Sequence, residues 1–188
     1  MGQTGSLLVV CNKKGEAAGL LEKTKDEGWK SFHLSAAMCV QHRRDTLKAL
    51  YDALPNGKVL CVSTQVIEAG VDISFQSVLR LAAGMDSIVQ SAGRCNRNGE
   101  SETRRPVYLV NCTDENLGML HDIQRGRDAS LDLLYAYQKD PAAFDGDLAS
   151  DKAIGFYYRK LYQRMDGGAQ DYPYPPRKAC LLYTSRCV

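Results

Sequence analysis

The stretch "QSAGRCNRNGE" (90–100) sets Gln90, Gly93, Arg94 and Arg97 within one short run. A guanidinium is a planar fork of donors that fits phosphate oxygens. Three residues apart at the end of a helix, Arg94 and Arg97 are expected to leave one helical turn and aim at one point. Gly93 leaves room for a helix or ligand to come close. The plainer alternative is a salt-bridged helix end at the surface, because such charge spacings are common on helices.

A second stretch, "STQVIEAGVDIS" (63–74), directly follows the apolar run "KVLCV". The Thr64 hydroxyl and free backbone N–H groups just past a strand suit a phosphate oxygen. Gly70 lets the backbone approach a ligand, and Asp72 is able to accept from a ribose hydroxyl. The alternative is a strand–turn–strand connection in which the aspartate caps a turn. The sequence contains no G-x-x-x-x-G-K-[ST] phosphate loop. His33, His42 and His121 lack metal-ligand spacing with carboxylates, so no metal site is expected.

The elements that must carry these segments alternate between strand and helix. "SLLVVC" (6–11), "KSFHLS" (30–35), "KVLCVST" (58–64), "SVLRLA" (77–82) and "PVYLVN" (106–111) read as strands. Helical spacing appears at Ala17, Leu20, Leu21 and Thr24, and again at Leu47, Leu50, Tyr51 and Leu54. A further helix is expected through "DSIVQSAGRC" (86–95). This order predicts an α/β fold: a parallel sheet with helices on both faces. Ligands in such sheets bind beyond the carboxyl ends of the strands, where both stretches fall.

After Asn111 the pattern becomes helical, in "ENLGMLHDIQRGRDASLDLLYAYQK" and "SDKAIGFYYRKLYQRM". Ile154, Tyr157, Tyr158, Leu161, Tyr162 and Met165 form a stripe expected to be core, with base stacking as the lesser alternative. The predicted organisation is a lobe over 1–113, a helical extension over 114–166 and a Gly/Pro-rich linker or tail over 167–188. Residues 181–188 can be back-translated with a codon choice in which the codons of Tyr183–Ser185 are followed at once by their reverse complement, as at a cloning or sequencing junction. A natural disordered tail is the alternative.

The chain has 188 residues and a net charge of +2, so bulk attraction to nucleic acid is excluded and any basic surface is local. Seven cysteines without a C-x-x-C pair point to reduced thiols in a cytosolic protein, with Cys11, Cys61 and Cys112 buried in strand-like runs. No run is long enough to span a membrane. "MGQTGS" matches an N-myristoylation pattern, but the core strand expected right after it argues against an anchor.

Taken in order, "TQVIEAGVD" resembles motif V and "QSAGRCNR" resembles motif VI of superfamily 2 helicases. "LLVVCNKKGEA" is similar to motif IV, and "FHLSAAMCVQHRRDTL" to the segment after it. The wording is similar to the CRISPR-associated type I nuclease-helicases recruited by Cascade, from about Leu7 to about Tyr174. The resemblance implies a RecA-like second lobe that shares an ATP site with a first lobe. That first lobe would supply the phosphate loop and the carboxylates that hold Mg2+. Arg94 and Arg97 would then stabilise the transferring phosphoryl group, and Gln90 would orient it or the attacking water. Gly70, Asp72 and Gly93 would line the nucleotide, while Ser35 and Thr64 would hold phosphates of single-stranded DNA. Implied partners are the first lobe and nuclease domain of a parent chain, and the Cascade complex. The chain would be a fragment, inactive alone. Two alternatives stand beside this: a superfamily 2 RNA helicase lobe, and a non-catalytic α/β module whose arginines hold an acidic partner protein.

Overall fold

The structure is a computed structural model, and it describes residues 5–24 and 28–165. The myristoylation pattern at the N-terminus and the back-translated tail fall wholly or mainly outside those residues. Five short apolar runs form strands: β1 (Ser6–Val10), β2 (Lys30–Leu34), β3 (Val59–Ser63), β4 (Ser77–Leu81) and β5 (Val107–Val110). All pair in parallel, in the order β2-β3-β1-β4-β5. From β1 the chain goes to the edge at β2, returns inward to β3, then crosses β1 to β4 and β5, so the connections leave β1 and β4 in opposite directions. Such a switch point opens a crevice at the carboxyl ends of the strands.

Every residue of β3 is buried, as a strand covered on both faces must be. One face of the sheet packs Leu8, Val10, Phe32, Leu34, Cys61 and Val78 against Leu50 and Ala53 of helix α2 (Val40–Ala53). The other face sets Val9, Cys11, Leu60 and Val62 against Ala17 of helix α1 (Lys14–Thr24). Each fully buried Leu, Val or Phe contributes roughly 1.5–3 kcal/mol of transfer free energy. Helices thus lie on both faces, as the alternation predicts.

Helix α3 (Met85–Ala92) follows β4, and helices α4 (His121–Lys139) and α5 (Asp151–Gln163) follow β5. The predicted helix from Glu115 starts only at His121. Helices α4 and α5 build a third cluster from Ala129, Leu133, Phe144, Ala153 and Tyr157. Ser150 caps α5 by accepting from the Ala153 N–H. This cluster reaches the sheet at one tight crossing. A Cβ added to Gly126 of α4 would stand 3.0 Å from the Gly84 Cα at the start of α3. Next to it, the Tyr157 hydroxyl lies 3.4 Å from Asp86 Oδ1.

The tyrosine stripe needs correcting. Tyr157 is buried, but Ile154, Tyr158 and Tyr162 are exposed. Helix α4 and the turn Pro141–Phe144 cover the side of α5 that carries Ala153, Phe156 and Tyr157. The exposed rings contact one another, with Tyr158 and Tyr162 stacked at 6.0 Å between centroids. Among the described residues no helix is long and apolar enough to cross a membrane. Cys11 and Cys61 are buried free thiols, and burial pushes both up, Cys11 to about 11. Cys112 is only half-buried, because β5 ends at Val110 and leaves it in the following loop.

Candidate functional site

The loop after β3 begins with a single 3-10 turn, Gln65–Ile67, at the carboxyl edge of the sheet. Ile67 is buried and anchors the turn. At Gly70 the backbone is left-handed (φ +72°), which only glycine adopts without strain. The chain then runs back through Asp72 to Phe75. There it meets the segment after α3 in one parallel bridge: Phe75 N–H donates to Arg94 O (2.8 Å) and Asn96 N–H donates to Phe75 O (2.9 Å). This bridge brings the two stretches singled out in the sequence together.

The bridge also changes the expected geometry of the arginines. Helix α3 stops at Ala92, and Gly93 closes it with ordinary right-handed angles. Arg94 and Arg97 therefore lie beyond the helix, and Asn96 between them is left-handed (φ 49°). They do not leave one helical turn. Their side chains part company as a result.

Arg94 turns inward and is only 5 % exposed. Its Nε donates to the Ile67 carbonyl at 3.0 Å and its Nη2 to the Glu68 carbonyl at 2.6 Å. Its Nη1 is buried without a hydrogen-bond partner. Burial, and next the neighbouring charge of Arg97, lower its proton affinity. Arg97 stays at the surface and pairs with Asp72, Nε to Oδ1 at 2.6 Å, with side chains 40 % and 79 % exposed. Its backbone N–H donates to Ser74 Oγ at 3.1 Å. The structure thus joins Asp72 to Arg97 directly, and Arg94 to the base of the same loop.

The remaining sequence-predicted residues scatter. Gln90 is exposed on α3, in a groove of about 330 Å³ shared with Val89, Leu148, Ile154 and Tyr158. That groove faces the α4–α5 extension rather than Asp72. Gly93 has no left-handed angle, and an added Cβ would make ordinary contact with its own helix, 3.4 Å from Gln90 O. Ser35 and Thr64 stand side by side at the carboxyl ends of β2 and β3, joined through Thr64 N–H to Leu34 O at 3.0 Å. Both are buried. Ser35 Oγ accepts from the Ala37 N–H.

Sequence reasoning missed the most heavily bonded group here. Arg80, in the middle of β4, is 0 % exposed. Its Nη1 donates to Asn12 Oδ1 (2.8 Å) and the Leu81 carbonyl (2.8 Å), and its Nη2 to Ser87 Oγ (2.7 Å). Its Nε lies 3.1 Å from Glu68 Oε1 as an ion pair too poorly aligned for a hydrogen bond. Glu68 Oε1 also accepts from Ser87 Oγ (2.6 Å) and Ser91 Oγ (2.9 Å). A usable signal existed: an arginine inside the apolar run "SVLRLA" must either face water or carry a partner, since an unpaired buried charge is too costly.

Chemically, the Asp72–Arg97 corner offers a carboxylate and a donor fork on one exposed ledge. Just beneath it lies Arg94 with an unused buried donor. That set fits a polyanion bearing hydroxyl groups, such as a nucleotide. Among the described residues no group of three or more His, Cys, Asp or Glu side chains is arranged to hold a metal ion.

The five-stranded parallel sheet with flanking helices is RecA-like, as in the second lobe of superfamily 2 helicases. The family described as CRISPR-associated nuclease/helicase Cas3, C-terminal, matches residues 3–100, and the chain belongs to it. The chain is 49 % identical over 59 residues to the CRISPR-associated nuclease/helicase Cas3 of Haloferax volcanii, covering 30 % of this chain and 6 % of that protein. It superposes on the T. fusca Cas3-ATP crystal structure with a TM-score of 0.56 and 18 % identity, over 92 % of this chain and 24 % of that one. A chain of a pre-nicking CRISPR RNA-guided surveillance complex gives a TM-score of 0.50 and 17 % identity, over 93 % of this chain and 26 % of that one. These structural likenesses establish the fold. The chain spans a small part of each of these relatives.

Proposed function

We propose that this chain is the second RecA-like lobe of an ATP-dependent single-stranded DNA translocase acting in CRISPR type I interference. The carrying observation is the bridge at Phe75, which sets Asp72, in the stretch that resembles motif V, beside Arg97, in the stretch that resembles motif VI, on an exposed ledge. ATP would lie between this ledge and a first lobe elsewhere in the parent chain, and hydrolysis would supply the drive for movement. Arg97 would offer its fork to the γ-phosphate, Asp72 would turn to a ribose hydroxyl, and Gly70 would let the loop pass close to the nucleotide. Mg2+ would be held by carboxylates of the first lobe. Gln90 would meet the nucleotide only once the first lobe closes over α3.

Single-stranded DNA would run along the carboxyl edge of β1, β2 and β3. Ser35 and Thr64 form its floor, and Lys13 and Lys14, right after β1, supply charge. Contacts of this kind hold the backbone without reading bases. Cascade is the partner that fits a lobe of this family, and the domain boundaries near 113 and 166 fit a separate helical extension in a cytoplasmic enzyme.

The experiment is reconstitution. The isolated chain should hydrolyse no ATP with or without single-stranded DNA, and adding the first lobe should create DNA-stimulated turnover. Turnover by the clean isolated chain would end the two-lobe assignment. Should the arginines instead hold an acidic partner protein, the reconstituted lobes would turn over ATP no differently after Arg97→Ala.

A further inference from the structure

We propose that Glu68 is the positioning residue of the candidate nucleotide site, an inference that rests on taking the Asp72–Arg97 ledge as that site. Glu68 holds the loop at both of its ends. Its carboxylate gathers Ser87 and Ser91, one turn apart on the inner face of α3, together with Arg80 of β4. Its main-chain carbonyl takes the Arg94 guanidinium from the segment beyond α3. Asp72 lies four residues downstream of Glu68, and Arg97 three residues downstream of Arg94. Together with the Ile67 carbonyl and the bridge at Phe75, Glu68 thus ties the origin of one arm of the ledge to that of the other.

Packing alone would not require a charge here. Glu68 is 8 % exposed and Arg80 is wholly buried, and two apolar side chains would fill that space at least as well. What apolar groups would lose is the directional tie to α3, because only an acceptor ties both serine hydroxyls. The cluster continues through Arg80 to Asn12 and from Asn12 Nδ2 to Glu115 Oε1 (2.9 Å), so the loop is referenced to β1, β4, α3 and the start of the extension at once. Members of a polar network of this kind lock one another's geometry. Arg94 then acts through the loop, holding the Ile67 and Glu68 carbonyls, while Arg97 is the arginine that meets ligand.

The test uses the full-length parent chain, with melting temperature, kcat and KM for ATP as readouts. The neutral pair Glu68→Leu/Arg80→Met should keep the melting temperature near wild type yet lower DNA-stimulated kcat by roughly 10²-fold, the cost of a misplacement of about 1 Å. KM should rise much less. Glu68→Gln, which still accepts from the serines, should recover most of the lost kcat. If the neutral pair does not fold, Ser87→Ala/Ser91→Ala decides: the melting temperature should fall, because Glu68 and Arg80 lose buried partners, and kcat measured well below it should drop several-fold. Wild-type kcat in a folded neutral pair, or in the serine variant, overturns the proposal. Arg97→Ala, run in parallel, separates the two layers. If Arg97→Ala also keeps wild-type turnover, the nucleotide site itself falls. If it loses turnover while the Glu68 and serine variants do not, only the positioning role of Glu68 falls.

Discussion

The guanidinium of Arg97 reaches from the segment beyond α3 to the carboxylate of Asp72 on the loop after β3, with Nε 2.6 Å from Oδ1. Both side chains are partly in water, and pairs of that kind contribute only about 0–1 kcal/mol. A triphosphate, with more charge and more acceptors, would displace Asp72 from the fork at little cost. Asp72 would then be free to meet the ribose.

Arg97→Ala in the parent chain should therefore damage turnover far more than folding. An arginine that stabilises a transferring phosphoryl group is worth roughly 10³–10⁵ in rate. ATP affinity should fall much less, since the lost contact belongs mainly to the transition state. Arg97→Lys should rescue poorly, because an ammonium cannot copy the planar fork. Steady-state ATPase together with nucleotide titration measures both effects, and equal losses in kcat and affinity would contradict them.

Arg94→Ala should behave differently, although the two arginines stand three residues apart. Its side chain is buried and satisfies two carbonyls of the loop after β3. Removing it leaves those acceptors without their donors, at about 1–3 kcal/mol. The isolated lobe should melt at a clearly lower temperature, whereas Arg97→Ala should leave its melting unchanged. Thermal denaturation of the two single variants decides, and identical melting curves would show that Arg94 has no structural task.

The contrast between these arginines marks where the sequence stops being legible. The strands were readable because each is an apolar run bounded by turn residues, and β1 to β5 fall within the runs that predict them. The motif stretches were readable as a pair, and the bridge at Phe75 brings them together. The course of the chain after Ala92 was not readable. Helical spacing of Arg94 and Arg97 says nothing about a left-handed Asn96, which is fixed by a tertiary bridge between segments about twenty residues apart. Gln90 fell on a face toward α5 for the same reason: the end of a helix, not its periodicity, decides what its last turn meets. The stripe on α5 had the right period, yet α4 covers only one side of it. Arg80 was hidden by its neighbours, since its run reads as apolar and its partner Glu68 lies in another element.

Two glycines offer a clean test of the crossing that ties the extension to the sheet. A Cβ on Gly126 would press on the Gly84 backbone at 3.0 Å, where no flexible side chain can yield. Gly126→Ala should destabilise the lobe by about 1–3 kcal/mol, as overpacking does. Gly155, exposed on α5, has nothing within 4 Å of the same added atom. Gly155→Ala should stabilise by about 0.5–1 kcal/mol through helix propensity. Chemical denaturation of both variants gives the signs, and a stabilising Gly126→Ala would mean the crossing is looser than described.

Glu115 gives the lobe a pH dependence whose direction can be worked out. Burial raises its pKa above the ordinary carboxylate value, nearby Glu16 raises it further, and the Asn12 hydrogen bond and Lys13 work against them. The folded chain therefore holds this proton more tightly than the unfolded chain, whose carboxylate titrates near ~4.3. The favourable contribution is fully present below that unfolded value and is lost as pH rises through the raised folded value. At neutral pH the ionised carboxylate is thus a strain on the fold. Glu115→Gln keeps an oxygen to accept from Asn12 Nδ2 and removes the charge beside Glu16. The variant should melt above wild type at neutral pH, and the gap should close as pH falls into the carboxylate range. Paired melting curves across that range isolate Glu115 together with its neighbour Glu16, since the carboxylates away from them titrate alike in both proteins. A gap that stays constant with pH, or a wild type that melts higher at neutral pH, would show that the Glu115 charge is not strained in the fold.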